Sequence, residues 1–522
     1  MMSRWTMRRR SLLAGSAAGL TLAGSGLLPR LAAAQPVRGG TLRVSVDQAP
    51  SVLNPLLHRL NPEYMLGEML YSGLTRLDTD MSAMPDLAES WVANDDLTEW
   101  TFTLRQGVTF HDGSALTAND VVATFTAILD EATGSPARRN VGPISDITAV
   151  DDHTVLFRTS GSYADLPVAV AYTDAKIVPA SIVTGDFDSL NQQAVGTGPF
   201  QLVSYEPERE VVVERNPNYY DPARPYVDRV EMVIYPDITA EGSALISGDT
   251  DIMIRADPTD FDRLANSPGI DGLRTPSGQF LNIVLGCDVP PFDDPRVRQA
   301  LALCIDRGAL VDFVAEGYGT QGEDTPINSA YRYWADVGHR EADIAQATSL
   351  MQEAGHGDGL DITLVASERP GTRAQMAVAI REMARPAGFI IDVQTMPHAT
   401  YLDQVWRQGN FYVGFYNMQA SADAIFSLLY TSDAAWNETR WNNTDFDALV
   451  EAGRRTPDGP ERAQIYAQAQ ELMFADVPTV IPVFFDLLGA KQAYVQDFER
   501  HPRGAVFNLD QVWLGEGAPS RD

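Results

Sequence analysis

Hydrophobic segments of two different periods alternate along this chain, and that alternation limits its fold more than any other feature. Thr41 to Asp47 sets Leu42, Val44 and Val46 among polar neighbours, the two-residue period of a half-buried strand. Trp100, Phe102 and Leu104 repeat the pattern, and Arg105-Gln106-Gly107 begins a turn. Helical spacing is equally legible. Thr117-Ala118-Asn119-Asp120 has the form of a capping box ahead of Val121, Val122, Phe125, Ile128 and Leu129. Asp294 and Pro295 read as N-cap and first helical residue, with Val297, Ala300, Leu301, Cys304 and Ile305 following. Residues 342–354 form another predicted helix, stopped by Gly355. Pro460 opens a last long one through Ile465, Ala469, Leu472 and Met473. No internal repeat and no low-complexity linker interrupts the series. The pattern predicts an α/β protein with mixed sheets.

Residues 1–34 stand apart. Arg8, Arg9 and Arg10 precede a run from Ser11 to Leu28 that is small and apolar, and Leu31-Ala32-Ala33-Ala34 supplies small residues for signal peptidase. A positive segment, an apolar stretch and an A-x-A site make a removable export signal. Arg9-Arg10-Ser11-Leu12-Leu13 resembles the twin-arginine motif, whose machinery exports folded proteins; an ordinary Sec signal with an extra arginine is the competing reading. No cysteine follows the cleavage site to carry a lipid anchor, and no later stretch is apolar enough to cross a bilayer. The expected product is soluble, exported to the periplasm, and not a lipoprotein.

Cleavage after Ala34 leaves 488 residues, more than one hydrophobic core usually supports, so two or three domains are expected. It also takes the formal net charge from −31 to −36, because the signal holds five arginines and no acid. Such a chain is repelled by phosphate backbones, which argues against nucleic acid as a partner. Cys287 and Cys304 are the two cysteines. Export permits a bridge between them. Two thiols do not make a disulfide framework, and Cys304 falls on a predicted apolar stripe, where a free thiol is common.

Catalytic signatures are missing: there is no G-x-S-x-G elbow, P-loop, H-E-x-x-H or Cys-x-x-Cys. The seven histidines lack metal-ligand spacing, so neither metal nor cofactor is implied. His111-Asp112-Gly113, between a strand and a helix cap, reads as a turn with a surface histidine. An exported multidomain α/β chain of this kind is most economically a binding protein, and a secreted hydrolase is the less favoured reading.

Motifs in order along the chain sharpen this. They are Gly39-Gly40-Thr41-Leu42 and Leu53-Asn54-Pro55; Leu70-Tyr71-Ser72-Gly73-Leu74; Pro85-Asp86-Leu87-Ala88-Glu89-Ser90-Trp91; Trp100 through Gly113 to Asn119-Asp120-Val121; Gly196-Thr197-Gly198-Pro199-Phe200; Arg215-Asn216-Pro217-Asn218-Tyr219-Tyr220; and Pro291 through Leu301. In register, they resemble the family 5 extracellular solute-binding proteins, the dipeptide, oligopeptide and nickel class serving ABC importers. The resemblance implies a two-lobed periplasmic binding protein of type II, cluster C-like, with a hinge and an extra small domain. Its expected divisions are residues 35–79, 194–278 and 485–522 for the first lobe, 80–193 for the inserted domain and 279–484 for the second lobe. The implied partners are a peptide or other small-molecule ligand and the membrane permease subunits of an importer, with the binding protein acting as a monomer.

The resemblance also implies site residues. In dipeptide-binding relatives an arginine in a second-lobe loop grips the ligand carboxylate. Arg369, in Ser367-Glu368-Arg369-Pro370, fits that loop, and Arg373 is the alternative; a guanidinium fork suits a carboxylate. His398 falls where relatives place a tryptophan over the ligand's amino end. Tyr416, Asn417, Met418, Gln419 and Asp423 belong to the loop that carries an amine-binding aspartate in relatives. Asp423 matches a second, structural aspartate there, and Gln419 or Ala420 stands in the amine-binding place. Gly196, Thr197 and Gly198 are expected at the lobe junction, to let backbone amides approach a ligand, to form a tight turn before a strand, or both. Asn54, with Leu53 and Tyr64, is expected on the first-lobe side. A nickel chelate, an opine or an oligosaccharide is the alternative ligand; for nickel, no histidine stands between Tyr416 and Phe426.

Overall fold

The computed structural model describes residues 35–207 and 209–521; the export signal predicted over residues 1–34 lies outside the described residues. An eleven-stranded mixed sheet runs through the molecule. From one edge its strands are Phe389–Met396, Leu360–Ser367, Phe411–Tyr416, Ile270–Leu285, Thr479–Gln492, Ile252–Met253, Thr41–Val46, Arg229–Ile234, Glu210–Arg215 and Phe200–Glu206, with Gly319–Gln321 also paired to Thr479–Gln492. Thr41–Val46 lies parallel to Arg229–Ile234, and Leu360–Ser367 is parallel to Phe389–Met396.

The two longest strands, of 16 and 14 residues, are antiparallel partners from Ile270 opposite Gln492 to Val284 opposite Thr479. At ~3.3 Å per residue they reach ~50 Å, too far for both ends to share one core. Their two ends accordingly sit in different ones. Ile270, Leu488 and Ala490 pack with Leu245 and Met253, whereas Leu281, Ile283, Val480 and Val483 pack with Val297, Leu301, Leu364 and Ile380. Two lobes result, joined by a shared ribbon. Midway the ladder slips: Pro276 faces Asp486 and Gln279 faces Phe485, so Ser277 and Gly278 bulge out.

The N-terminal core also holds a separate four-stranded antiparallel sheet, ordered Ala88–Ala93, Glu99–Leu104, Thr154–Thr159, Ile144–Asp151. Trp100, Phe102 and Leu104 are its buried face, as their alternation requires. Helix Ala118–Leu129 covers it, with the Phe125 ring edge-on to Phe157 at 5.1 Å. The Asp120 carboxylate accepts from the Thr117 amide at 2.8 Å, half of the expected capping box. The Asp294 cap accepts from the Arg296 amide at 2.9 Å and opens helix Pro295–Leu303. The helix predicted over 342–354 spans Ile344–Glu353 and is followed by Gly355 at φ 88°, where a side chain would be strained.

Helix Pro460–Asp476 starts where Pro460 places it, and of the expected stripe Ala469 and Met473 are buried. Ile465 and Leu472 are half-buried, and the fully buried positions are Arg462, Tyr466, Ala469, Gln470 and Met473. The reason is an ion pair across the lobes. Arg462 Nη1 donates to Asp165 of the first lobe, Nε donates to Gly453 O at 2.8 Å, and the guanidinium lies 5.2 Å from the Tyr333 ring centroid. Neighbouring backbone adds a bond from the Ala164 amide to Arg454 O at 2.9 Å. Removing one partner of a buried pair leaves the other charge stranded. Arg462→Met is therefore expected to lower stability by about 3–5 kcal/mol, with most of it restored by adding Asp165→Leu. Urea denaturation of the three proteins measures it.

Candidate functional site

The second lobe presents the ends of its strands to the seam. Strand Leu360–Ser367 terminates at the buried Ser367, whose hydroxyl accepts from the Arg369 amide at 3.2 Å. The same hydroxyl lies 2.8 Å from Arg369 O and 3.0 Å from His398 Nδ1. Two residues distant in sequence are thus tied through one side chain. His398 opens helix His398–Gln404, is half-buried, and lies nearly parallel to the Tyr401 ring at 6.5 Å. Arg369 is exposed. Arg373 is buried in the first turn of helix Thr372–Ala384, with its guanidinium 5.3 Å from the Tyr401 ring centroid and 5.7 Å from that of Phe415. Its Nε has no hydrogen-bond partner among the described residues, and burial lowers its pKa.

The loop after strand Phe411–Tyr416 lies alongside. Phe411, Tyr412 and Tyr416 are core, and Trp406 Nε1 donates to the Tyr416 hydroxyl at 3.3 Å. Glu438 is buried against Tyr416 and Tyr412, and burial pushes its carboxyl up to about 7. Asn417 is exposed and accepts from Gln279 Nε2 at 2.6 Å. The Gln419 amide donates to the Tyr331 hydroxyl at 2.9 Å, and Met418 is buried against Gly278 at the ribbon's bulge. A Cβ at Gly278 would stand 2.4 Å from the Tyr331 ring and 2.8 Å from Met418, so only glycine permits this approach. Asp423 is committed elsewhere. It is buried in helix Ala422–Leu429, where it accepts from Arg454 Nε at 2.8 Å and Ser427 Oγ at 3.1 Å.

In the first lobe, Asn54 is fully buried, and its Oδ1 accepts from the Leu56 amide at 3.1 Å to cap the short turn Pro55–Leu57. The close approach made by Gly196 and Gly198 is to the protein's own chain. A Cβ on Gly196 would fall 2.1 Å from Leu70 O, and one on Gly198 2.4 Å from the Leu70 carbonyl carbon. Thr197 is buried, with its hydroxyl unpartnered among the described residues. These three residues dock the turn against the end of helix Asn61–Leu70, which is the tight-turn alternative. His111 corrects the sequence reading: instead of a surface side chain, it is half-buried, with Nε2 3.2 Å from Gly198 O and Nδ1 3.4 Å from Ala194 O. Its amide also donates to Gly196 O at 2.8 Å.

The two walls meet. Ala171 of the first lobe shares one buried apolar cluster with Tyr331, Tyr416, Met418 and Ala420 of the second. Beside Ala171 lie Tyr172 and Asp174, with Arg503 stacked 4.2 Å over the Tyr172 ring. Sequence reasoning missed this group; it follows no period and matches no motif. Cys287 and Cys304 are both free, and burial raises each thiol to about 12. Among the described residues no cluster of ligating side chains could hold a metal, and no helix is long and apolar enough to cross a membrane.

The family model for bacterial extracellular solute-binding proteins, family 5 (middle part), matches residues 82–439. Di/tripeptide-binding protein 1 of Pseudomonas aeruginosa (strain UCBPP-PA14) is 26% identical over 95% of this chain and 98% of its own length. Among solved structures, the substrate-binding protein CtaP of Listeria monocytogenes superposes with a TM-score of 0.81 at 26% identity, covering 92% of this chain and 100% of that one. AgaA from A. tumefaciens R10, in complex with agropinic acid, gives 0.74 at 26% identity, covering 91% of this chain and 99% of that one.

Two first-lobe histidines set an acid limit. His58 and His501 are buried, and burial lowers each to about 4 from an ordinary 6.5. The unfolded chain takes up these protons first, so stability is expected to fall between about pH 6.5 and 4, by roughly 3 kcal/mol per histidine. Urea denaturation at pH 7.5 and 4.5 checks it: the His58→Gln, His501→Gln double variant should lose less over this interval than the wild type.

Proposed function

We propose that this chain, which belongs to the family 5 bacterial extracellular solute-binding proteins, captures a peptide or peptide-like solute between its lobes and delivers it to the permease subunits of an ABC importer. One observation carries the reading. At the seam, Arg369 and Arg373 stand within one helical turn of each other, on a wall shared with His398, and neither has a carboxylate partner among the described residues. Arg373 is the buried one of the two; a buried cation without a counter-ion is costly, and a ligand carboxylate would supply the missing charge. The di/tripeptide-binding relative supports a peptide; the agropinic acid in AgaA supports another small carboxylate as a second reading.

Opening and closing pivot on the ribbon formed by Ile270–Leu285 and Thr479–Gln492, where the bulge at Ser277 and Gly278 already breaks the ladder. We divide the chain as the sequence suggested: residues 35–79, 194–278 and 485–522 in the first lobe, 80–193 as its inserted domain and 279–484 in the second. The signal of residues 1–34, cleaved after Ala34, sends a soluble monomer to the periplasm by the twin-arginine route, where it binds solute without chemical turnover.

Arg369→Ala is expected to weaken binding of a carboxylate-bearing ligand by about 2–5 kcal/mol in calorimetry. Unchanged affinity would take Arg369 out of the site and transfer that loss to Arg373→Ala. Native mass spectrometry of protein purified from its own host should show a bound peptide or peptide-like acid. Recovery of an oligosaccharide alone overturns the assignment.

A further inference from the structure

Asp174 stands alone in the way it is buried. It has no solvent exposure, and among the described residues it is the one carboxylate with both oxygens buried and unpartnered. Four other buried acids each have an ion-pair partner: Asp324 with Arg307 and Arg340, Asp251 with Arg521, Asp165 with Arg462, and Glu68 with Lys176. Even the adjacent Glu63 accepts from the Ser51 hydroxyl at 2.6 Å and the Leu60 amide at 3.0 Å. Close by, Arg503 has the complementary deficit, with Nε and Nη1 buried and unpartnered while the Tyr172 ring supports its face. An acid and a base near enough to influence each other nevertheless form no ion pair.

Position says what could come between them. Ala171, three residues before Asp174, belongs to the buried apolar cluster that also holds Tyr331, Met418 and Ala420 of the second lobe, and Arg503 is stacked on Tyr172, the residue next to Ala171. The pair therefore borders the seam at which the two lobes meet. We propose that Asp174 is the seat of a protonated amine on the captured solute, and that Arg503 beside it holds an oxygen of the same molecule. This rests on capture of a peptide-like solute and names the end of it that the first lobe reads. A peptide meets both demands within its first residue, where an ammonium group and a carbonyl oxygen are neighbours.

The charges around Asp174 make it suited to that task. Arg503, Arg59 and Lys176 lower its pKa and Glu63 raises it, but burial dominates and brings the acid up to about 8. Lys176 is already held by Glu68 at 2.7 Å. The folded state thus retains a proton that the unfolded chain releases above an ordinary carboxylate pKa, so Asp174 lowers stability as pH rises toward 8. An arriving ammonium reverses that penalty by stabilising the ionised form.

The test uses the full mature protein and a pooled mixture of di- and tripeptides, offered as such and after exhaustive N-acetylation. Wild type should gain thermal stability from the untreated mixture and not from the acetylated one. Asp174→Asn should lose about ten- to a hundredfold in affinity for free-amine peptides, while its ligand-free melting temperature at pH 8 stays equal to the wild type's or rises. Arg503→Gln should also weaken binding. Equal binding of free and acetylated peptides by wild type, with Asp174→Asn unchanged, overturns the assignment and leaves the peptide reading standing. A wild type that binds neither mixture overturns both.

Discussion

The antiparallel pairing of Ile270–Leu285 with Thr479–Gln492 is the constraint on which the rest of this structure depends. Each strand is long enough to enter two hydrophobic cores, so the ribbon both separates the lobes and holds them in register. Bending such a ribbon is easiest where its hydrogen bonds already fail, at Ser277 and Gly278. The bulge is also a contact point, because Gly278 admits Tyr331 and Met418 closely. Tyr331 then receives the Gln419 amide. A change of angle at the bulge is thus felt directly by the loop that lines the seam.

Away from the ribbon, the lobes meet through polar groups held in apolar settings. Asp165 and Arg462 form a buried pair whose net stabilisation is modest, because desolvation offsets attraction, but whose geometry is demanding. Such a contact favours one closed arrangement over many near neighbours. Arg373 Nε, Arg503 Nε and Nη1, and both Asp174 oxygens are buried without a partner among the described residues.

Local structure was largely legible before the fold was known. The alternation of Leu42, Val44 and Val46 places them in a strand with no exposed apolar face, and the caps at Thr117 and Asp294 start their helices where the residues predict. Periodicity failed where a polar side chain is buried. The apolar spacing of the last long helix names Ile465, Ala469, Leu472 and Met473; Ala469 and Met473 are buried, but Ile465 and Leu472 are half-buried because Arg462, Tyr466 and Gln470 take the inward face. His111 was assigned to the surface, although backbone carbonyls from a distant loop surround its ring. Sequence spacing carries no record of partners some 80 or 300 residues away.

The sequence by itself determined which segments become strands and helices, and family motifs pointed to the loops holding Arg369, His398 and Tyr416 to Gln419. Local hydrophobic period and capping chemistry suffice for the first, and short motifs for the second. Only the tertiary structure decided which of those side chains are available. It committed Asp423 to Arg454, turned Gly196 and Gly198 against Leu70, joined Arg369 to His398 through Ser367, and left both Asp174 oxygens and two Arg503 nitrogens buried without partners among the described residues. Whether a charge is satisfied depends on what long-range packing brings beside it, and that is a property of the folded molecule.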